Sequence, residues 1–143
     1  MNVNNYSEIN KHGLSGTGSA GHEAPTSEKP LDAVRAEVAR WEGVTTHEHR
    51  FGGIEFRLRS RELGHLHATI ADLPCPRRIR DELVAAGRAR PHHVLPDSGW
   101  VTAPMRTAAE VANVITLFRL NYERACREHP SLSGSLTKRR RNQ

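Results

Sequence analysis

The sequence predicts an α+β domain, an antiparallel sheet of about four strands with helices packed on one face, in the order α-β-β-α-β-β-α. Three observations carry that reading. Two stretches, "HRFGGIEFRLR" and "LGHLHATIA", alternate apolar and polar residues with the period of two that a half-buried strand requires. Three others repeat apolar residues every three or four positions, as an amphipathic helix does. Proline and glycine clusters separate these stretches, and helices that follow strand pairs pack on one face of an antiparallel sheet.

The first helix starts at Pro30, whose missing N–H costs nothing at a helix start. It presents Leu31, Val34, Val38 and Trp41 on one stripe and ends before Gly43, with Trp41 expected against the sheet. From His49 to Arg59, Ile54, Phe56 and Leu58 point one way and Glu55, Arg57 and Arg59 the other, with Gly52 and Gly53 marking a bulge or a close backbone approach. In the next run Leu66, Ala68 and Ile70 fall on the apolar side and His65, His67 and Thr69 opposite. Matching the two apolar faces calls for an odd loop, and a three-residue loop, Ser60-Arg61-Glu62, puts Arg57 opposite His65 and Glu55 opposite His67. A second helix opens at Pro76 with Ile79, Leu83 and Ala86 inward and Gly87 as its cap. "RPHHVLPDSGWVTAPM" reads as a hairpin, with a strand around His92 to Leu95, a Pro-Asp-Ser-Gly turn and a strand from Trp100. Thr107 and Glu110 form a capping box for the last helix, which carries Val111, Ile115, Phe118, Tyr122 and Cys126 on one stripe.

At 143 residues the chain supports one domain. Residues 1–29 are polar and lack apolar periodicity, which predicts a flexible leader; residues 30–129 form the single domain and residues 130–143 a basic disordered tail. The leader lacks the pattern of a secretory signal, and no run reaches the roughly 18 apolar residues of a membrane span, so a soluble, cytoplasmic protein with no membrane partner is expected. Lys138, Arg139, Arg140 and Arg141 carry four of the five net positive charges, which argues against a nucleic-acid-binding domain surface and leaves the tail as the one candidate phosphate contact. Cys75 and Cys126 are too few and too far apart for a disulfide framework or a Cys-x-x-Cys site, and Cys75, between two prolines, reads as a packed thiol. Ser98 lacks the strand-turn-helix setting of a nucleophile elbow.

The face opposite the helices carries the chemistry. It holds Glu55, Arg57, His65 and His67, joined by His92 or His93 and by Trp100 from the second hairpin. Histidines two apart on a strand lie about 6.6 Å apart along it, near enough to converge on one ligand. Three readings follow. A small polar or anionic ligand would be bound by Arg57, His65 and His67, with Glu55 orienting His67. A metal-dependent enzyme would hold a divalent ion such as zinc on His65, His67 and His93 or His92, with Glu55 as ligand or base. An interaction or nucleic-acid module would act through the basic tail. The second His-x-His, His47 and His49, lies where helix meets strand and is expected to be polar surface or the rim of the same face.

The segments "GIEFRL", "ELGHLH", "ADLPCPRRIRDELVAAGRA" and "PHHVLPDSGWV", within Val44 to Arg124, resemble the small bacterial and fungal proteins called luciferase-domain or luciferase family proteins. The resemblance directs attention to His65, His67, His92, His93 and Trp100 and implies no particular reaction. It does not extend to the flavin-dependent luciferases, whose barrel needs about 250 residues.

Overall fold

The computed structural model describes residues 29–128; the expected leader and tail lie outside them. The chain runs α1 (Pro30–Ala39), β1 (Val44–His49), a 3-10 turn (Arg50–Gly52), β2 (Gly53–Leu58), β3 (Arg61–His67), β4 (Ile70–Pro74), α2 (Arg77–Ala85), β5 (Arg90–Pro91), β6 (Trp100–Pro104) and α3 (Ala108–Glu128). The class is α+β, but the sheet has six antiparallel strands in the order β1-β2-β3-β4-β6-β5 rather than about four.

Two strands escaped the periodicity for different reasons. β1, "VTTHEH", is an edge strand whose central residues are all exposed, so it shows no apolar alternation. "LGHLHATIA" is two strands, because the chain reverses at Ala68–Thr69 and pairs His67 with Ile70. Nothing marks that turn: Ala68 takes it at a φ of 29°, where glycine or asparagine is the usual signal. Beyond the turn the faces exchange. Ala71 and Leu73 enter the core, while Ile70 and Asp72 lie on the side of His65 and His67.

The β2–β3 register also departs from expectation. Leu58 faces Arg61 across a two-residue turn, and one extra residue, Leu63, then enters β3 as a bulge. Past the bulge Ile54 faces Leu66 and Glu55 faces His65, so Glu55 is not opposite His67, and Arg57 faces Glu62 rather than His65. The parity needed to bring Leu66 into the core is met by the bulge instead of a longer loop.

The core is one layer between the sheet and α1 and α3. Phe56, Leu66, Leu73, Val101 and Ala103 from the strands meet Val34 and Val38 from α1 and Val114, Leu117 and Phe118 from α3. Phe118 meets Phe56 edge-on at 5.4 Å, and Trp41 packs on Tyr122 of α3 at 5.4 Å. The buried stripe of α3 is rotated from the expected one, with Asn121 and Ala125 inside and Val111, Ile115, Tyr122 and Cys126 at its margin. Asn121 Nδ2 donates to the carbonyls of Leu63 and Pro74 at 3.0 and 2.7 Å, tying the bulge to the end of β4. The capping box forms, with Glu110 N–H donating to Thr107 Oγ1 and Thr107 N–H to Glu110 Oε2, both at 3.2 Å. Among the described residues no helix is long and apolar enough to cross a membrane.

Candidate functional site

The helices cover one face of the sheet, and a cleft of about 600 Å³ opens on the other. Its floor is built by the ladder itself. Glu55, His65, Asp72 and Thr102 are successive cross-strand partners on β2, β3, β4 and β6, so they stand in one row, of which His65 and Asp72 line the cleft. His67 and Ile70 form the next row, where a methyl group at Gly53 would lie 2.7 Å from His67 Cε1. The missing side chain at Gly53 therefore makes room for the His67 ring, which is the close approach its position in the sequence suggests.

One wall is the 3-10 turn after β1. Phe51, at a φ of 58°, is 98% exposed there, and His49 and Arg50 line the cleft beside it. The other wall is the β5–β6 loop with His92, His93, Val94 and Leu95, and Trp100. The expected strand at His92 to Leu95 is absent, since β5 ends at Pro91. His92 Nδ1 instead accepts the backbone N–H groups of Val94 and Leu95 at 3.2 and 3.1 Å, and its half-buried ring holds the loop in place. His93 stacks on His92 at 4.6 Å, so both histidines line the cleft.

The imidazoles divide into two groups by their hydrogen bonds. His65 is fully engaged: Nδ1 lies 2.7 Å from Glu62 Oε1 and Nε2 3.4 Å from Asp72 Oδ2. Burial disfavours its charged form, but the two carboxylates outweigh burial and raise its pKa to about 9, so the ring is a cation at neutral pH. His92 is committed through Nδ1; its proton is therefore on Nε2, which faces Asp72 Oδ1 at 3.7 Å. His49 and His67, by contrast, make ring contacts but no hydrogen bonds with protein groups among the described residues. Burial, reinforced by the neighbouring His65 and His49, holds the His67 pKa down, so its ring is neutral.

Asp72 anchors the floor. Thr102 Oγ1 donates to its Oδ1 at 2.5 Å. Burial pushes its carboxyl up, but His65 and Thr102 outweigh that and keep it ionised. Arg57 donates from Nε to Glu55 Oε2 at 2.6 Å, and neither residue lines the cleft. Glu55 thus orients Arg57 and not His67. Burial raises the Glu55 carboxyl and the Arg57 pair more than offsets it.

The structure brings together His65, His67, His92, His93 and Trp100 of the residues singled out from the sequence, and leaves Arg57 and Glu55 outside the cleft as an ion pair. It adds Asp72, Glu62 and Phe51, and of the two placements open to His49 it shows the rim of the cleft. Asp72 was hidden by the unmarked turn at Ala68, which reverses the face on which it falls. For His49 the signal was the His-x-His of "HEH", which stands at the end of an edge strand with no apolar pattern to orient it. Cys75 donates from Sγ to the Gly99 carbonyl at 3.0 Å, and burial pushes its thiol up, as befits a packed side chain.

Residues 60–121 match the family model described as Luciferase domain. The matched segment runs from the β2–β3 turn into α3, so it contains His65, His67, Asp72, His92, His93 and Trp100 while His49 and Phe51 precede it. The resemblance read from the sequence, over Val44 to Arg124, overlaps this segment, with "GIEFRL" ahead of it. No curated protein and no solved structure matches the chain.

Proposed function

We propose that the cleft binds a small organic molecule with an apolar, ring-bearing body and an uncharged polar end. The observation that carries this reading is the pairing of two surfaces in one pocket: an apolar rim of Phe51, Val94, Leu95 and Trp100 above a floor where His49 and His67 have uncommitted ring nitrogens. A pocket that is mostly apolar with a few convergent polar groups is the general form of a small-molecule site. The open imidazoles offer a donor and an acceptor each in the neutral form.

An anionic ligand fits less well. Arg57, the fixed cation expected to receive it, is neutralised by Glu55, and the positive charge of His65 is already shared by Glu62 and Asp72. The floor is therefore no better than neutral toward an incoming carboxylate, and the cation in the wall, Arg50, is exposed to solvent.

Fluorine NMR of protein labelled with 5-fluorotryptophan tests the reading, because Trp100 lies in the cleft while Trp41 is buried against α3 as an internal control. Ring-bearing amides and alcohols at millimolar concentration are expected to shift the Trp100 resonance and leave Trp41 unmoved, with the shift reduced in Phe51→Ser. Phe51 is too exposed for that change to move stability by more than about 0.5 kcal/mol. A panel of such compounds that leaves Trp100 unmoved would overturn the reading.

A further inference from the structure

We propose that His49, His65 and His67 form a binding site for one divalent metal ion of the zinc class, with Glu62 as the positioning residue behind His65. The ligand atoms of the three histidines lie within 4.8 Å of one another, at the end of β1 and on β3. Ligands at about 2.0 to 2.1 Å from a tetrahedral ion are about 3.3 to 3.4 Å apart, so the three atoms must draw together from a spread of at most 4.8 Å. His67 meets His49 at 63° and His65 at 79°, so its ring stands edge-on to theirs instead of parallel. The His49 and His65 rings stack at 3.9 Å and 16°, and this is the contact that must open. His49 is the ring placed to move, being half-buried at the end of an edge strand with no hydrogen bond to protein groups among the described residues.

The surroundings of His65 match what a metal-bound imidazole needs. Glu62 at 2.7 Å from Nδ1 fixes that nitrogen as the donor and leaves Nε2, which faces Asp72, as the atom that would turn to the ion, the carboxylate–histidine–metal arrangement. The competing contact of Nε2 with Asp72 is long, at 3.4 Å. Binding breaks the Nε2–H bond of His65 and releases that proton to solvent, while its electron pair forms the bond to the metal. Two carboxylates beside one imidazole also make this corner favour positive charge. Three protein ligands leave a coordination position open toward the cleft.

The second cluster, Asp72, His92 and His93, has comparable spacing but the wrong protonation. His92 Nδ1 accepts two backbone N–H groups, so Nε2 holds the proton and presents no lone pair toward Asp72. That cluster serves as an internal comparison.

The site does not depend on the small-molecule reading, and its test reads the metal alone. Tag-free full-length protein, stripped with EDTA, is titrated with Co²⁺ and followed by visible absorption, and with Zn²⁺ by calorimetry and elemental analysis. One ion per chain is expected, with the intense d–d bands of tetrahedral cobalt. His49→Ala and His67→Ala should each abolish stoichiometric binding, Glu62→Gln should weaken it about 10- to 100-fold while keeping the bands, and His92→Ala should leave it intact. His65 is buried, so its removal risks the fold; the two more accessible histidines carry the test. Absence of a stoichiometric ion overturns the proposal, as does a loss in His92→Ala equal to that in His67→Ala. Neither result affects the Trp100 response to organic ligands.

Discussion

Replacing Asn121 with alanine tests how the sheet is held in the register that builds the cleft. The Asn121 amide donates to the Leu63 carbonyl at 3.0 Å and to the Pro74 carbonyl at 2.7 Å, and its own oxygen accepts from Arg124 Nη1 at 3.0 Å. The side chain is 7% exposed, so water does not readily replace the two donated bonds. Losing a hydrogen bond to a buried group costs about 1 to 3 kcal/mol, which places Asn121→Ala at about 2 to 4 kcal/mol once partial relaxation is allowed. For a folded region of this size that lowers Tm by roughly 10 to 25 °C. Urea unfolding followed by circular dichroism measures the change, and an unaltered slope with denaturant would show that the unfolded reference is the same. Asn121→Asp, which turns the donating amide into a carboxylate facing two carbonyls, should be at least as damaging. A loss below about 0.5 kcal/mol in Asn121→Ala would refute the reasoning, since it would mean that the bulge is held by the ladder alone.

Two further expectations follow from the site and its neighbourhood. Gly53→Ala places a methyl group within 2.7 Å of His67 Cε1 and 2.8 Å of the Leu66 carbonyl, so the His67 ring must shift; Co²⁺ binding should weaken, though less than in His67→Ala, and an undiminished affinity would mean that the ring never occupied that space. Burial raises the Cys75 thiol above its ordinary pKa, so its thiolate is scarce at pH 8 and its reactivity rises with pH only above the range of a free cysteine. Alkylation by iodoacetamide in a Cys126→Ser background should therefore lag behind a cysteine peptide at pH 8 and catch up in urea; equal native and peptide rates would contradict the packing against Gly99.

The helices were legible because their signals are local. Pro30 opens α1, Thr107 and Glu110 cap α3, and Val34 and Val38 mark an inner stripe by spacing alone. The histidines of β3 were legible for the same reason, since Leu66 between them had to enter the core. What the pattern could not convey was pairing. Arg57 and Glu55 have the right alternation for the open face, yet a bulge in the neighbouring strand decides which residues they meet. Asp72 depended on a turn built from alanine and threonine, residues that announce nothing. His49 and Phe51 sit where the chain leaves an exposed edge strand, and neither propensity nor hydrophobic period bears on the direction of a side chain there. The placements that agree with the sequence reading are those fixed by one strand, and those that differ are fixed by a partner.

The Leu63 bulge works as an expansion joint in the chain. Leu58 still faces Arg61 before it and Glu55 still faces His65 after it, so the two halves of the hairpin are independent in length. Deleting Leu63 would remove a buried leucine from the core and leave the cleft side of β3 unturned, with His65 and His67 in place. The loss would be paid in stability and not in the arrangement of the histidines. A domain organised in this way can lengthen or shorten its β2–β3 turn by a single residue without carrying its polar row into the core.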